Sequence, residues 1–256
     1  MHIRKYKSSD RKQIEFINFE TGFLGSSMSK FLSNNKLWKK EIKYYLDKEP
    51  ESIFVLENKN PNRSKLRGIF NVGNPHFNVS HEQVHPSTAS SGVFLTNKDK
   101  IAGYLLGCLN DKNNNETINF ILHNIENLFQ SIFLLKKDRI FWRSQFMSLI
   151  NTLIGRSEEI KFKTPKNAGH IHINLLPEAR GKNYGTRLLK EFERYAKQEG
   201  VKTIHADSYQ TKINPNTHFW LKNGFKVYSK VKTSIWKKQL PEENINLICY
   251  SKNLAP

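Results

Sequence analysis

The sequence carries only two cysteines in 256 residues, Cys108 and Cys249, a pair with neither metal-binding nor redox spacing. Such sparse thiols fit a reducing compartment better than a disulfide scaffold. No apolar run approaches the roughly 20 residues a helix needs to cross a bilayer, and the opening MHIRKYKSSD lacks the apolar stretch of a signal peptide. These absences argue against a small secreted disulfide fold and a helical membrane protein, and lead us to expect a soluble, cytoplasmic chain with no membrane partner. Acidic residues are also scarce: 23 Asp and Glu stand against 41 Lys and Arg, a formal net charge of +18. Such a balance attracts phosphate. The basic residues are nevertheless dispersed among Asn-rich stretches (NNK, NKN, DKNNN, KNNG) rather than gathered in one block. A diffusely basic surface is therefore favoured over a nucleic-acid interface.

What is present suffices for a packed core, with 38% hydrophobic and 25% charged residues. We expect one domain over residues 1–256, interrupted by an irregular insertion at about 58–97 (rich in Asn, Pro, Ser and Gly) and a helical one at about 116–156. The pattern predicts a first strand over His2–Tyr6, then a helix capped from Ser8, Ser9 and Asp10. A second helix is expected over Leu37–Leu46, and strands over Ser52–Leu56 and Lys100–Leu109. Within the helical insertion, Phe146, Leu149, Ile150, Leu153 and Ile154 are expected to form one apolar face. These helices read as extra core, with a substrate lid or a contact between copies as the sharper alternatives.

Beyond Pro165 the pattern becomes strand, turn, helix, strand, short helix, strand. Gly169–Leu176 alternates, Asn183–Gln198 has helical periodicity with Leu188, Leu189, Phe192 and Tyr195 in one stripe, and Thr203–Asp207 is a strand. Asn216–Asn223 is a short helix closed by Gly224, followed by strands over Phe225–Val231 and Asn244–Tyr250. The chemistry-bearing segment is HINLLPEARGKNYGTRLLKEFERYA. Its turn reads as an anion cradle, because the first N–H groups of a helix lack intrahelical partners and the helix dipole favours negative charge there. Gly181 and Gly185 permit close backbone approach, while Arg180, Lys182 and Arg187 add positive charge. The segment is neither a Walker loop nor a dinucleotide fingerprint, and no clear βαβ crossover is visible. A plain strand-to-helix turn is the bland alternative.

PEARGKNYGTRLL resembles motif A of the GNAT acetyltransferase superfamily, R/Q-x-x-G-x-G/A, with Arg180 first, Gly185 last and Asn183 where the central Gly usually stands. Asn tolerates the left-handed backbone, so the turn survives the exchange. NPNTHFWLKNGF, residues 214–225, resembles the superfamily's next motif. The resemblance is strong over about 165–230, fits the opening strand, helices and hairpin, and omits the two insertions. It implies an α+β fold: a mixed, mostly antiparallel sheet of six or seven strands with helices on both faces. It implies acetyl-CoA as cofactor and N-acetyl transfer, in a ternary complex, to an amine of a small molecule or a protein. The backbone of Ile173, Asn174, Leu175 and Leu176 would pair with the pantetheine arm. Arg180, Gly181, Lys182, Asn183, Tyr184, Gly185 and Thr186 would hold the pyrophosphate, and Asn214 would contact CoA. The strand before motif A typically splays from the next one, and CoA enters the gap.

Acetyl transfer needs an amine freed of its proton and a proton for the leaving thiolate. His170 and His172 share one face of a strand, and an imidazole suits the first task. The H-x-H is similar to that of arylalkylamine N-acetyltransferases, where it acts as base. Structural hydrogen bonding and metal binding are the alternatives, the latter wanting a third ligand. The superfamily's usual acid, a Tyr on the short helix, is replaced by Trp220, which leaves Tyr209 in the preceding loop as the candidate acid or a packed side chain. Asp207 at the strand end suits a cationic acceptor or a loop-fixing role. Two rivals share the sequence: a non-catalytic CoA-sensing module of the same fold, and a basic nucleic-acid-binding protein.

Overall fold

In the computed structural model, residues 1–33, 35–36, 38–58, 101–110, 126, 136–156, 158–212, 216–236 and 238–255 are described. The irregular insertion beyond Asn58, Asn214 and, save Glu126, residues 116–135 of the expected helical insertion lie outside them. Seven strands form one sheet: β1 (His2–Lys5), β2 (Phe54–Glu57), β3 (Ile101–Cys108), β4 (Gly169–Leu175), β5 (Thr203–Gln210), β6 (Lys226–Lys232) and β7 (Asn246–Asn253), in the order β1-β2-β3-β4-β5-β7-β6. Every pairing is antiparallel except β4 with β5. The α+β architecture expected from the sequence is present. The parallel pair is joined by a helix, so a βαβ crossover exists where none was read. It was hidden because the two strands share only two residue pairs.

Helices cover both faces. On one, α4 (Tyr184–Gln198) buries Leu188, Leu189, Phe192 and Ala196 against Leu56, Leu105, Ile171 and Ile204. Its stripe follows the periodicity read from the sequence, and Gly107 of β3 makes the close fit, since a Cβ there would stand 2.1 Å from Phe192 Cε2. On the other face, α1 (Arg11–Thr21) and α2 (Lys43–Lys48) bury Ile14, Ile17, Tyr45 and Leu46 against Val55, Tyr104 and Leu106. Asp10 opens α1 differently from a simple cap: it is buried, accepts the Lys7 N–H at 2.9 Å, and takes two bonds from Arg4 at 2.7 and 2.9 Å. The helix expected over Leu37–Leu46 divides into a 3₁₀ segment, Trp38–Ile42, and α2.

The inserted helix α3 (Lys136–Leu153) turns a different face inward from the one expected. Asp138, Phe141, Trp142, Gln145, Ser148 and Leu149 are buried, while Leu153 and Ile154 are exposed. Polar anchors set the rotation. Asp138 accepts from the Ser33 N–H at 2.9 Å and its hydroxyl at 2.5 Å, and Gln145 donates to Ile235 O at 3.1 Å. Phe141 then fills the centre of an aromatic cluster, with ring centroids 5.1 Å from Trp142, 5.9 Å from Trp236, 6.1 Å from Phe31 and 6.4 Å from Trp38. No described helix is long and apolar enough to cross a membrane.

Candidate active site

The geometry begins where β4 leaves β5. These strands pair only at Gly169 with Ile204 and His170 with His205, whereas β4 stays paired with β3 as far as Leu175. Beyond His170 the β5-facing edge of residues 171 to 175 therefore borders a gap. The gap opens into a cleft of about 540 Å³ lined by β4 (His172, Ile173, Asn174, Leu175), β5 (Asp207, Ser208, Tyr209), α1 and its following loop, Trp38, Glu41, Gly185, and Phe219 and Trp220 of α5 (Thr217–Lys222).

The cradle sits at one end. Gly181 has φ +70° and Asn183 has φ 62°, both left-handed, and Asn183 is the residue from which α4 starts. The Asn that replaces the usual central Gly thus adopts the conformation that the Gly would supply, as its tolerance of this region predicts. Residues 181 to 183 are exposed, so the N–H groups at the start of α4 are not sealed by neighbouring side chains. Gly185 is buried, and a Cβ there would meet Phe219 Cε2 at 3.0 Å. Arg180 turns inward: Nε donates to Leu175 O at 2.9 Å and Nη2 to Gly25 O at 2.7 Å, tying the end of β4 to the loop after α1. Lys182 folds back on Glu178 O at 2.8 Å, and Tyr184 lies under Arg187, 5.5 Å from ring centroid to guanidinium carbon.

His172 lines the cleft; His170 does not. His170 is 3% exposed, its Nδ1 lies 2.7 Å from Tyr45 Oη, and its ring packs 4.7 Å from that of His172. Burial, then the proximity of His172 and His205, holds its pKa well below the ordinary 6.5. His170, His205 and Asp207 bring one ligand-type atom each within 4.8 Å of one another, a triplet that takes only His170 from the H-x-H. The two imidazoles stack at 4.6 Å and 26°, which is packing geometry. Tyr209 lies on β5, not in a loop, and Asp207 lies mid-strand, because this strand extends three residues past the expected Asp207 end. Burial first, then Glu159, Glu41 and Asp207, raises the Tyr209 pKa and keeps the hydroxyl protonated. Trp220 is buried and stacked on Tyr250 at 5.8 Å, a core residue where the superfamily's Tyr would stand.

Sequence reasoning missed a polar chain on the opposite wall. Tyr104 donates to Asn18 Oδ1 at 3.0 Å, Asn174 donates to the Tyr104 hydroxyl at 2.8 Å, and Asn18 donates to Glu41 Oε2 at 3.3 Å. Glu41 is exposed as a residue, but its carboxyl stands within the concave wall, and burial pushes it up to about 7, partly offset by Asn18. The one available signal was Asn18 within an otherwise apolar helical stripe.

This splayed pair beside a left-handed helix start is the geometry that motif A implies, and the comparisons agree. A sequence model described as the acetyltransferase (GNAT) family matches residues 75–225, more than half of the chain. The chain belongs to the acetyltransferase (GNAT) family. It is therefore an acyltransferase by family. The structure of SsHAT is similar over 100% of this chain and 98% of its own, with TM-score 0.52 and 18% identity. The Drosophila melanogaster polyamine N-acetyltransferase, which forms N-acetylagmatine, is similar over 98% of this chain and 99% of its own, with TM-score 0.50 and 11% identity. At such identities these likenesses speak for the GNAT fold alone. No curated protein matches the chain.

Proposed function

We propose that this GNAT protein transfers an acetyl group from acetyl-CoA to an amine of a small molecule or protein, by direct attack in a ternary complex within a single domain. The observation that carries the reading is the parting of β4 and β5 after His170 and His205, beside the exposed left-handed turn that opens α4. The residues fit the cofactor. The turn offers the N–H groups of a helix N-terminus to a diphosphate, Gly185 leaves no side chain in the way, and the β5-facing edge of residues 171 to 175 offers backbone groups to an amide-bearing arm. Acetyl-CoA, when bound, supplies a thioester whose carbonyl carbon the amine attacks as the carbon–sulfur bond breaks.

The chain's own residues handle the protons. His172, at the cleft surface, takes one from the attacking ammonium. His170, held neutral behind it, packs against it and Tyr45 and orients the ring. Tyr209 lines the cleft from β5, with its proton retained for the departing thiolate. Arg180 and Asn214 complete the expected CoA contacts, and the exposed Ile140, Met147 and Leu153 of α3, with Ile154 just after it, are the place for a contact between copies.

Calorimetry with acetyl-CoA, followed by thiol release across an amine panel, tests this. We expect affinity in the micromolar range and release that depends on amine. Absence of binding at millimolar acetyl-CoA ends the reading. Binding without amine-dependent release favours the sensing module. Gly185→Val is expected to weaken acetyl-CoA binding at least about 100-fold, since a branched side chain there meets Phe219 and blocks close approach. Unchanged affinity would contradict the cradle.

A further inference from the structure

The polar chain that joins the walls of the cleft ends at an atom that no described residue uses. Asn174 stands opposite Tyr104 in the β3–β4 register, so the two side chains share one face of the sheet. Tyr104 is fully buried and Asn18 is 4% exposed. Burial raises the Tyr104 pKa, with Asn174 offsetting part of the effect, so the hydroxyl keeps its proton. That single hydrogen goes to Asn18 Oδ1 at 3.0 Å, so only a donor can approach the same oxygen, and Asn174 does so with Nδ2 at 2.8 Å. The Asn174 Nδ2 also lies 3.5 Å from Asn18 Oδ1. The reverse sense would turn Asn18 Oδ1, in place of Nδ2, toward the Glu41 carboxylate. The chain is therefore polarised in one direction. The Asn174 Oδ1 receives no hydrogen bond from any described residue, and Asn174 lines the cleft two positions beyond His172, on the same face of β4.

We propose that Asn174 Oδ1 holds the attacking nitrogen of the acceptor beside His172, and that Tyr104 and Asn18 are positioning residues that keep the amide turned that way. This inference rests on the acetyl-transfer reading and deepens it. An ammonium that gives one proton to His172 still carries an N–H. That hydrogen donates to Asn174 Oδ1 while the nitrogen bonds to the thioester carbon and the carbon–sulfur bond breaks. The nitrogen gains positive charge as its bond forms, so its N–H becomes a stronger donor and the contact tightens in the transition state. A carboxylate at this place would stabilise the ammonium and oppose its loss of a proton to His172; a neutral amide oxygen does so far less. The sense of the amide matters for a second reason. An amide free to turn presents Nδ2 as readily as Oδ1, and an N–H donor there would occupy the lone pair that must attack.

The experiment uses two probes built on the cofactor. The N-methylamide and the methyl ester of S-carboxymethyl-CoA carry N–H or O at the place of the attacking atom. Their affinities are compared by calorimetry in the wild-type protein, Asn174→Ala and Tyr104→Phe. The preference for the methylamide over the ester should be about fivefold greater in the wild type than in Asn174→Ala, the worth of one hydrogen bond in a double-mutant cycle. It should fall about twofold or more in Tyr104→Phe, where the Asn174 amide is free to turn. CoA itself should bind all three proteins alike. A preference equal in the wild type and Asn174→Ala overturns the proposal, and one unmoved by Tyr104→Phe removes the positioning role given to that residue. Loss of CoA affinity in either variant would place these side chains in the scaffold of the cofactor site and overturn the proposal too. Failure of CoA to bind the wild type overturns the acetyl-transfer reading and, with it, this inference. CoA binding with an unchanged preference removes the inference alone.

Discussion

The two walls of the cleft are built by different means. The β4–α4–β5 wall is a local unit: a strand, a turn with two left-handed residues, and a helix whose apolar stripe lies along its own sequence period. The opposite wall is assembled from α1, its following loop and the 3₁₀ segment at Trp38–Ile42, and is backed by α3 through contacts that span 105 residues between Ser33 and Asp138 and 90 between Gln145 and Ile235. We assign the cofactor to the first wall and the choice of acceptor to the second. A wall that needs only backbone geometry can be written in a short motif. A wall that must fit one molecule is written in side chains that meet only after folding.

The sharpest way to break this division is Phe141→Ala. Phe141 is 2% exposed and touches four aromatic rings, so its loss should cost about 3–5 kcal/mol of stability. Urea unfolding measures that loss. Acetyl-CoA affinity of the folded protein should stay within about threefold, since no cradle residue packs on Phe141. A parallel collapse of cofactor affinity would show that the walls are one unit. Next in size is His172→Ala, which should lower kcat about 100-fold and leave acetyl-CoA affinity intact. An unchanged rate would return His172 to a structural role.

The same division explains what could be read in the sequence. The strands, α4 and the cradle follow periodicity, glycine placement and the start of a helix, all of which act over a few residues. Tyr209 and Asp207 were misplaced because β5 continues past the point where apolar alternation stops; its last residues gain their partners, Asp207 with Cys249 and Tyr209 with Leu247, from a strand some 40 residues later. The α3 face was misjudged because Asp138, Gln145 and Ser148 are buried polar anchors, and a hydrophobicity pattern turns such residues outward. Glu41 carried no signal at all, since its place in the cleft depends on Asn18 and Tyr104 from two other elements.

Acid titration compares the walls through one group from each. His170 is neutral in the folded protein where the unfolded chain takes up a proton below 6.5, so its contribution is full above 6.5 and is lost as pH falls, by about 1.4 kcal/mol per unit. His172, His205, Tyr45, Cys108 and Asp207 surround it; Asp207 is the acid among them, within 4.8 Å, and burial with the two neighbouring imidazoles outweighs it. Glu41 has the opposite sign. Raised from 4.5 to about 7, it keeps a proton that the unfolded chain has released, so its contribution is present at low pH and lost as pH rises through that window. Lys39 and Lys40 share its segment, and Asn18, Tyr104, Asp207, Tyr209 and His172 face the same cleft. Between 4.5 and 6.5 the two slopes oppose each other. Glu41→Gln should therefore steepen the loss of stability from about pH 7 to 5, read from urea midpoints. Equal slopes in both proteins would remove the proton assigned to Glu41.

The smallest effect is the most direct test of whether the cradle wall is a matter of backbone alone. Asn183 sits at φ 62° and its side chain makes no capping bond to α4. If the position asks only for left-handed backbone, Asn183→Gly should stabilise the protein by about 0.5–1 kcal/mol, because Gly meets no Cβ penalty there. Acetyl-CoA affinity should be unchanged, since the N–H groups keep their directions. Asn183→Val, which pays the full left-handed cost of about 1–2 kcal/mol, should both destabilise the protein and weaken the cofactor. Should Asn183→Gly instead lose affinity, the amide side chain would itself be a ligand group, and the cradle would share the logic of the acceptor wall.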